Sequence, residues 1–247
     1  MTELRERVTT GAVDGMRRPG PAYGVDALPV PIAMGIAGGV CGLGAAWWPK
    51  RRTSLAVVGG FLLANVGIYL HTSLRGKLDI WERELDRLAL TGDEDLLDLG
   101  CGRGAVLIAA ARRLPAGRAT GVDLWTKDQS GNSPQATQAN AAAAGVAGRV
   151  DIRTGDITEL PFADDSFDVV TSALTIHNIH SHEGRLQALN EAMRVLRPGG
   201  TLVIADLTHM AKQYAAHLGR GTVRALGPGY WYGGPWFGVS LLRAVNE

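Results

Sequence analysis

Two stretches near the start of the chain carry no charge at all. One runs from Leu28 through PVPIAMGIAGGVCGLGAAWW to Trp48, the other from Ser54 to Leu70 (SLAVVGGFLLANVGIYL). They are about 20 and about 17 residues long, enough for a helix to cross the hydrocarbon core of a bilayer, the second near the lower limit. The short basic loop PKRRT joins them. The pattern predicts a two-helix membrane hairpin over residues 28–71. Small residues recur four apart, at Gly35/Gly39, Gly38/Gly42 and Gly60/Ala64, a spacing that lets helix backbones approach closely in lipid. Trp47 and Trp48 close the first run, where interfacial aromatics belong. Residues 1–27, with scattered charges and Gly20, Pro21 and Gly24, read as an irregular lead-in. A cleaved leader fits poorly, because the run starts late, is long and is followed by a second. The plainer alternative is a buried hairpin of a soluble protein.

Beyond Leu74 the pattern changes. Leu78, Trp81, Leu85 and Leu88 fall on one helical stripe among charges. Short apolar runs then alternate with helical segments. Strands are expected at 95–100, 119–123, 149–156, 167–173 and 201–206, and helices at 105–114, 134–145 and about 183–196. The last helix should stop before Arg197-Pro198-Gly199-Gly200, followed by a turn. The tail after about Thr222 should add two more strands, one at 237–245. Such alternation implies α/β architecture: a Rossmann-like, doubly wound, mostly parallel seven-stranded sheet over residues 72–247, preceded by the α-helical transmembrane hairpin.

Composition adds exclusions. Net charge is +1, so there is no electrostatic footprint for nucleic acid. The two cysteines, Cys41 and Cys101, lie in no CxxC or Cys/His cluster, which argues against a zinc site or a disulfide framework. Lys50, Arg51 and Arg52 pull the hairpin loop toward the cytoplasm, but Arg17, Arg18, Arg75 and Lys77 pull the outer ends the same way. Charge therefore leaves the orientation open.

The chemistry centres on Asp98-Leu99-Gly100-Cys101-Gly102-Arg103-Gly104, which joins a strand directly to a helix. Glycines there permit a tight turn and close backbone approach, and the helix N-terminus offers free N–H groups. Asp123 ends the next strand, where a carboxylate can take both hydroxyls of a ribose. Alone, these features also fit a dinucleotide fingerprint, with Gly100, Gly102 and Ala105 as its small residues, so an NAD-binding oxidoreductase stays open at this point.

The remaining motifs, in their order, separate the two. LLDLGCGRG, GVDL (121–124), GDITELPFADDSFDVV (155–170) and LNEAMRVLRPGGTLVIAD (189–206) resemble those of class I S-adenosylmethionine-dependent methyltransferases, of the methyltransferase type 11-like kind. The resemblance covers about 75–247. It implies S-adenosylmethionine as cofactor, with Gly100, Cys101, Gly102 and Gly104 along its methionine portion and Asp98 near its amino group. It also implies Asp123 on the ribose, Leu124 against the adenine, Asp156 at the adenine amino group and Ile157 packed on the ring. Ser172, near the end of the fourth strand, joins this cofactor set. A noncatalytic membrane protein keeping the fold is a further alternative, against which the retained Asp98, Asp123 and Asp156 argue.

On the acceptor side, TIHNIHSH follows the fourth strand at the carboxyl edge of the sheet, where ligands bind. His177 is the candidate base, and Asn178 and His180 are candidate substrate contacts. The plainer reading is that these groups cap the next helix or face water. No carboxylate or cysteine nearby completes a metal site, and none is expected. The segment after Asp123, LWTKDQSGNSPQA, is longer than such turns usually are. Trp125, Asp128 and Asn132 are placed to cover the cofactor or shape a substrate mouth, or else form a solvent loop. Trp231 belongs to an aromatic cluster, Tyr230 to Phe237, that reads as core packing, a pocket wall or a lipid contact. With an apolar hairpin just upstream, the expected acceptor is small and hydrophobic or membrane-partitioned: a quinone, isoprenoid, lipid, phenol or thiol. Because the cofactor is cytosolic, the catalytic domain is expected on the cytoplasmic face of the membrane.

Overall fold

A computed structural model describes residues 21–126 and 131–247. The first apolar run forms α1 (Pro29–Trp47) and the second α2 (Arg52–His71). Proline at the first turn of α1 suits a position whose N–H has no helical partner. Both helices are long and apolar enough to cross a membrane, and only 22% and 17% of their apolar windows are buried. That exposure separates them from the core hairpin of a soluble protein: Ile36, Val40, Leu43, Val57 and Phe61 are uncovered, and Trp47 is 80% exposed.

The two helices touch where side chains are smallest. A Cβ on Gly59 would lie 2.9 Å from the Gly38 carbonyl and 3.3 Å from the Gly42 nitrogen. Gly38 therefore marks the crossing, where a Cβ would meet Leu63 at 3.0 Å. The Gly42 backbone lies beside it, but a side chain on Gly42, like one on Gly35, Gly39 or Gly60, would meet open space, although all four were read as contact glycines. Gly59 is the partner that four-residue spacing did not pick out.

The second helix does not stop at the end of its apolar run. It passes through one π-helical turn (Thr72–Gly76) into α3 (Lys77–Arg87), which carries the amphipathic stripe. A π turn inserts an extra residue and resets the helix face. Gly76 sits where the turn presses on the Gly229 carbonyl, and a side chain there would overlap it.

The sheet contains β1 (Asp95–Leu99), β2 (Arg118–Asp123), β3 (Val150–Thr154), β4 (Phe167–Ala173), β5 (Leu196–Leu207), β6 (Thr222–Ala225) and β7 (Val239–Val245). Their order is β3-β2-β1-β4-β5-β7-β6, with only β7 antiparallel to its neighbours. Side chains alternate between two cores. Leu96, Val169 and Val203 face α3, α4 (Ala105–Arg113) and α5 (Pro134–Ala143). Leu97, Val170 and Leu202 face α6 (His182–Arg194) and α7 (Thr208–Leu218). Sequence order reverses between β1 and β4, which opens a crevice at their carboxyl ends.

Two details differ from the sequence reading. The Arg197–Gly200 turn is drawn into β5. Leu196 pairs with Phe167, the register then shifts, and Thr201 pairs with Val169. Asn246 holds the bulge, donating to the Gly200 carbonyl (2.9 Å) and accepting from the Gly199 N–H (2.6 Å). Helix α7, over a segment the pattern left unassigned, buries Ala211 and Tyr214.

Residues 21–27 pack on the domain. The Ala22 N–H donates to Asn140 Oδ1 (2.9 Å), and Asn140 Nδ2 donates back to the Ala22 carbonyl (3.1 Å). Lys77 Nζ donates to both Asp26 carboxylate oxygens (2.7 and 2.8 Å), and the Tyr232 hydroxyl donates to Asp26 Oδ2 (2.7 Å).

Candidate functional site

The carboxyl ends of β1, β2, β4 and β5 open into a cavity of about 1080 Å³. Pockets for a single small ligand run to roughly 300–1,000 Å³, so this one has room for a cofactor and a second molecule.

The glycine turn forms one wall. Gly100, Gly102 and Gly104 all have positive φ (68°, 50° and 84°). A side chain on Gly100 would also overlap Thr175. Helix α4 begins at Gly104 without a side-chain cap, so its first N–H groups face the crevice end of the sheet. Asp98 is almost fully buried and accepts from Thr171 Oγ1 (2.8 Å), its cross-strand neighbour on β4. Burial pushes its carboxyl up to about 7, and the Asp123 charge adds to the rise, while hydrogen bonds from Thr171 and the Leu107 backbone oppose it. Burial also pushes the Cys101 thiol up, so it is an inert wall rather than a thiolate.

Asp123 is buried at the end of β2. It accepts from the Gly102 N–H (2.8 Å) and the Trp125 N–H (2.6 Å), with Asn132 Nδ2 at 3.4 Å. The carboxylate thus ties the glycine turn to the loop after β2. Exposed Leu124 and buried Ile157 line the cavity with Asp156, whose Oδ1 accepts from the Thr158 N–H and hydroxyl (both 2.8 Å).

Opposite lie Thr175, His177, Asn178 and His180, from the turn after β4. His177 Nδ1 is 2.7 Å from Asp206 Oδ1, an ion-pair distance at which the ring N–H is not aligned on the oxygen. The His177 backbone N–H reaches Asp206 Oδ2 (3.2 Å). Asp206, at the end of β5, is fully buried and also accepts from the Leu207 N–H (2.7 Å) and the Tyr214 hydroxyl (3.1 Å). Burial and the Asp206 charge push the Tyr214 phenol well up, so it stays a donor. The sequence reading missed Asp206. The signal was a carboxylate ending an apolar strand beside a loop rich in histidine.

The third side is the base of the hairpin. Asp26, Ala27, Pro29, Val30 and Tyr69 line the cavity together with Lys77, Tyr230 and Tyr232. Tyr69 and Tyr232 meet edge-on with centroids 5.1 Å apart, and Trp236 lies 5.5 Å from Phe61 of α2. The C-terminal aromatic segment therefore packs against the hairpin.

Several candidates lie outside the cavity lining. Ser172 is fully buried, its hydroxyl donating to the Leu99 carbonyl (3.1 Å) between β4 and β1. Gly104 is covered by Ile108 and Thr137. Trp125 reaches away across β3, where its Nε1 donates to Thr154 Oγ1 (2.7 Å). Trp231 offers its carbonyl to Thr72 Oγ1 (2.7 Å) in the seam with the π turn. His182 opens α6, and the cap there is Ser181, not a histidine. Asp128 lies outside the described residues.

This fold and site define the class I S-adenosylmethionine-dependent methyltransferase fold, and residues 97–204 match the family described as methyltransferase domain. A ubiquinone/menaquinone biosynthesis C-methyltransferase of Roseobacter denitrificans is 37% identical over 132 residues, which are 53% of this chain and 50% of that protein. A 27-O-demethylrifamycin SV methyltransferase of Amycolatopsis mediterranei is 34% identical over 153 residues, 60% of this chain and 52% of that protein. The chain thus spans about half the length of these relatives. Among solved structures, a SAM-dependent methyltransferase from Aquifex aeolicus superposes with TM-score 0.55 at 18% identity, covering 70% of this chain and 94% of that one. A [4+2]-cyclase does so with TM-score 0.54 at 21% identity, covering 67% and 81%. The second shows that the fold alone does not fix the reaction.

S-adenosylmethionine is the cofactor this class implies, and the residues suit it. Its ammonium and sulfonium charges would offset the cost of ionising buried Asp98. Asp123, at the end of β2, lines the same cavity, where a carboxylate can accept from ribose hydroxyls.

Proposed function

We propose that the protein is a membrane-anchored S-adenosylmethionine-dependent methyltransferase whose acceptor is a small, membrane-partitioned molecule of quinone or isoprenoid type. The observation that carries this reading is the continuity of the cavity. One wall is the glycine turn, and another is the start of α1 and the end of α2, the two ends of the apolar hairpin. An acceptor dissolved in the bilayer reaches the glycine turn past Pro29, Val30 and Tyr69 without crossing water. The quinone C-methyltransferase named above supports that acceptor class. Because the cofactor is cytosolic, the catalytic domain faces the cytoplasm. The working units are the lead-in to residue 27, the hairpin at 28–71 and the methyltransferase domain at 72–247.

Bound S-adenosylmethionine supplies an electrophilic methyl group on a sulfonium. Asp98 holds the ammonium of its amino-acid portion, and Asp123 the ribose hydroxyls. Leu124 and Ile157 pack on the adenine, while Asp156 accepts from its amino group. Tyr230, Tyr232 and Phe237 help close the acceptor end against water, which would otherwise compete as nucleophile. His177 takes the proton that an acidic C–H or O–H acceptor releases, and Asn178 and His180 contact the acceptor.

Calorimetry on the detergent-solubilised full chain tests the cofactor half of this reading. Micromolar binding of S-adenosylhomocysteine, and none of NADH, is expected. Tight NADH binding with no S-adenosylhomocysteine binding would overturn it.

A further inference from the structure

Behind His177, the proposed base, lies a carboxylate to which the sequence reading gave no role. Asp206 is fully buried at the end of β5, yet among the described residues only His177, of its hydrogen-bonding or ion-pairing neighbours, reaches the cavity with a titratable side chain. Leu207 N–H and Tyr214 hydroxyl fix the carboxylate from behind, at 2.7 and 3.1 Å. The His177 backbone N–H, at 3.2 Å from Oδ2, fixes the 3₁₀ turn that carries the imidazole. The ring nitrogen Nδ1 then lies 2.7 Å from Oδ1.

An ionised carboxylate accepts and cannot donate. An imidazole nitrogen held against it must carry the proton. In the neutral ring that leaves Nε2 as the lone-pair nitrogen, the form a base requires. We infer that Asp206 is a positioning residue that holds His177 in the Nδ1–H tautomer, with Tyr214 locking the carboxylate in place. This rests on the reading of His177 as the base. In this structure Nδ1 has no aligned hydrogen-bond partner; turning the ring about its own bond would bring its N–H onto Oδ1, and contacts of this kind tighten when a ligand fills the site. The proton balance is simple. One proton passes from the acceptor atom to Nε2 as that atom's new bond to the methyl carbon forms and the methyl–sulfur bond breaks, the electron pair of the broken bond staying on sulfur as a neutral thioether, and the Asp206 carboxylate lies beside the resulting imidazolium.

The inference commits to an acceptor that must lose a proton: a C–H made acidic by a neighbouring carbonyl, or a phenolic O–H. An acceptor already anionic in water would gain nothing from a neutral Nε2 lone pair at this position.

The test uses the full chain in detergent, labelled with 15N-histidine, as wild type, Asp206→Asn and Tyr214→Phe. His177→Asn assigns the His177 signals among those of the six histidines. Long-range 15N–1H spectra read the tautomer directly. Wild-type His177 is expected as Nδ1–H, and Asp206→Asn as Nε2–H, because an amide can donate to Nδ1. S-adenosylhomocysteine affinity should change less than about twofold, which reports an intact fold. Labelled methyl transfer into a lipid extract of the source cells should fall about 10²-fold or more in Asp206→Asn, and less in Tyr214→Phe. A wild-type Nε2–H tautomer, or an Nδ1–H tautomer unmoved by Asp206→Asn, overturns the positioning role. A switched tautomer with unchanged methyl transfer supports that role and overturns the base assignment instead.

Discussion

Lys77, on the first turn of α3, donates both of its resolved hydrogen bonds to the carboxylate of Asp26, which lies just ahead of α1. Tyr232 completes the cluster from the C-terminal segment. Three parts of the chain far apart in sequence are pinned at one point on the rim of the cavity. The pin joins the apolar hairpin to the catalytic sheet. Lys77 is nearly buried and Asp26 only partly so, with side-chain exposures of 7% and 22%. Removing one partner strands a charge in a poorly solvated place. Asp26→Asn is therefore expected to destabilise the domain by about 1–3 kcal/mol, less than a fully buried pair because Asp26 meets some solvent. Thermal unfolding in detergent measures this. The double variant Asp26→Asn/Lys77→Met should recover part of the loss, and a double variant less stable than the single one would rule out the stranded charge as its cause.

The raised carboxyl of Asp98 gives a pH signature. Its pKa near 7 in the folded protein exceeds the unfolded value of 3.8. The stability it contributes is full below pH 3.8 and is lost as pH rises through about 7, since the unfolded chain ionises first. Cofactor binding runs the opposite way. The ammonium favours the ionised carboxylate, so affinity for S-adenosylhomocysteine should rise between about pH 6 and 8, with a proton released on binding at the lower end. Calorimetry in buffers of different ionisation enthalpy counts that proton. Asp98→Asn should flatten the dependence. A wild-type affinity independent of pH over this range would remove Asp98 from the cofactor's ammonium.

Asp123 tests the ribose contact. Asp123→Ala is expected to weaken S-adenosylhomocysteine binding by about 1.5–3 kcal/mol through loss of charge-assisted hydrogen bonds. Because the carboxylate also ties Gly102 to Trp125, part of that loss reflects a loosened turn. Asp123→Asn keeps one acceptor and should lose less. Equal affinity in wild type and Asp123→Ala would show that the ribose lies elsewhere.

The hairpin crossing is sensitive to volume. Gly59→Leu puts a Cβ 2.9 Å from the Gly38 carbonyl and the rest of the side chain into the crossing. The helices must separate, so a cysteine pair engineered across the crossing should cross-link less readily in membranes. Gly60→Leu, which faces open space, is the matched control and should cross-link like the parent.

Much of this molecule was legible from local pattern. Uncharged length gave the hairpin, and strand–turn–helix order gave the sheet up to β5. Gly100, Gly102, Asp123 and Asp156 line the cavity because each lies at or just beyond the end of a strand, a position that local sequence can place. Residues defined by tertiary register could not. Ser172 alternates away from the crevice onto Leu99, and Trp125 turns outward to Thr154 through a positive φ of 59°. Asp206 depends on β5 lying beside β4, and Asp26 on α2 running unbroken into α3. Periodicity within one segment carries no information about such neighbours.

Methyl transfer itself is the most direct measurement. Full-length protein in detergent or vesicles is given S-adenosylmethionine labelled in its methyl group, with either a lipid extract or an aqueous extract of the source cells. Label is expected in organic-extractable, quinone- or isoprenoid-like material from the lipid extract, and it should be abolished by excess S-adenosylhomocysteine. Label confined to water-soluble products, or no transfer to either extract by protein that binds S-adenosylhomocysteine, would contradict a membrane-partitioned acceptor.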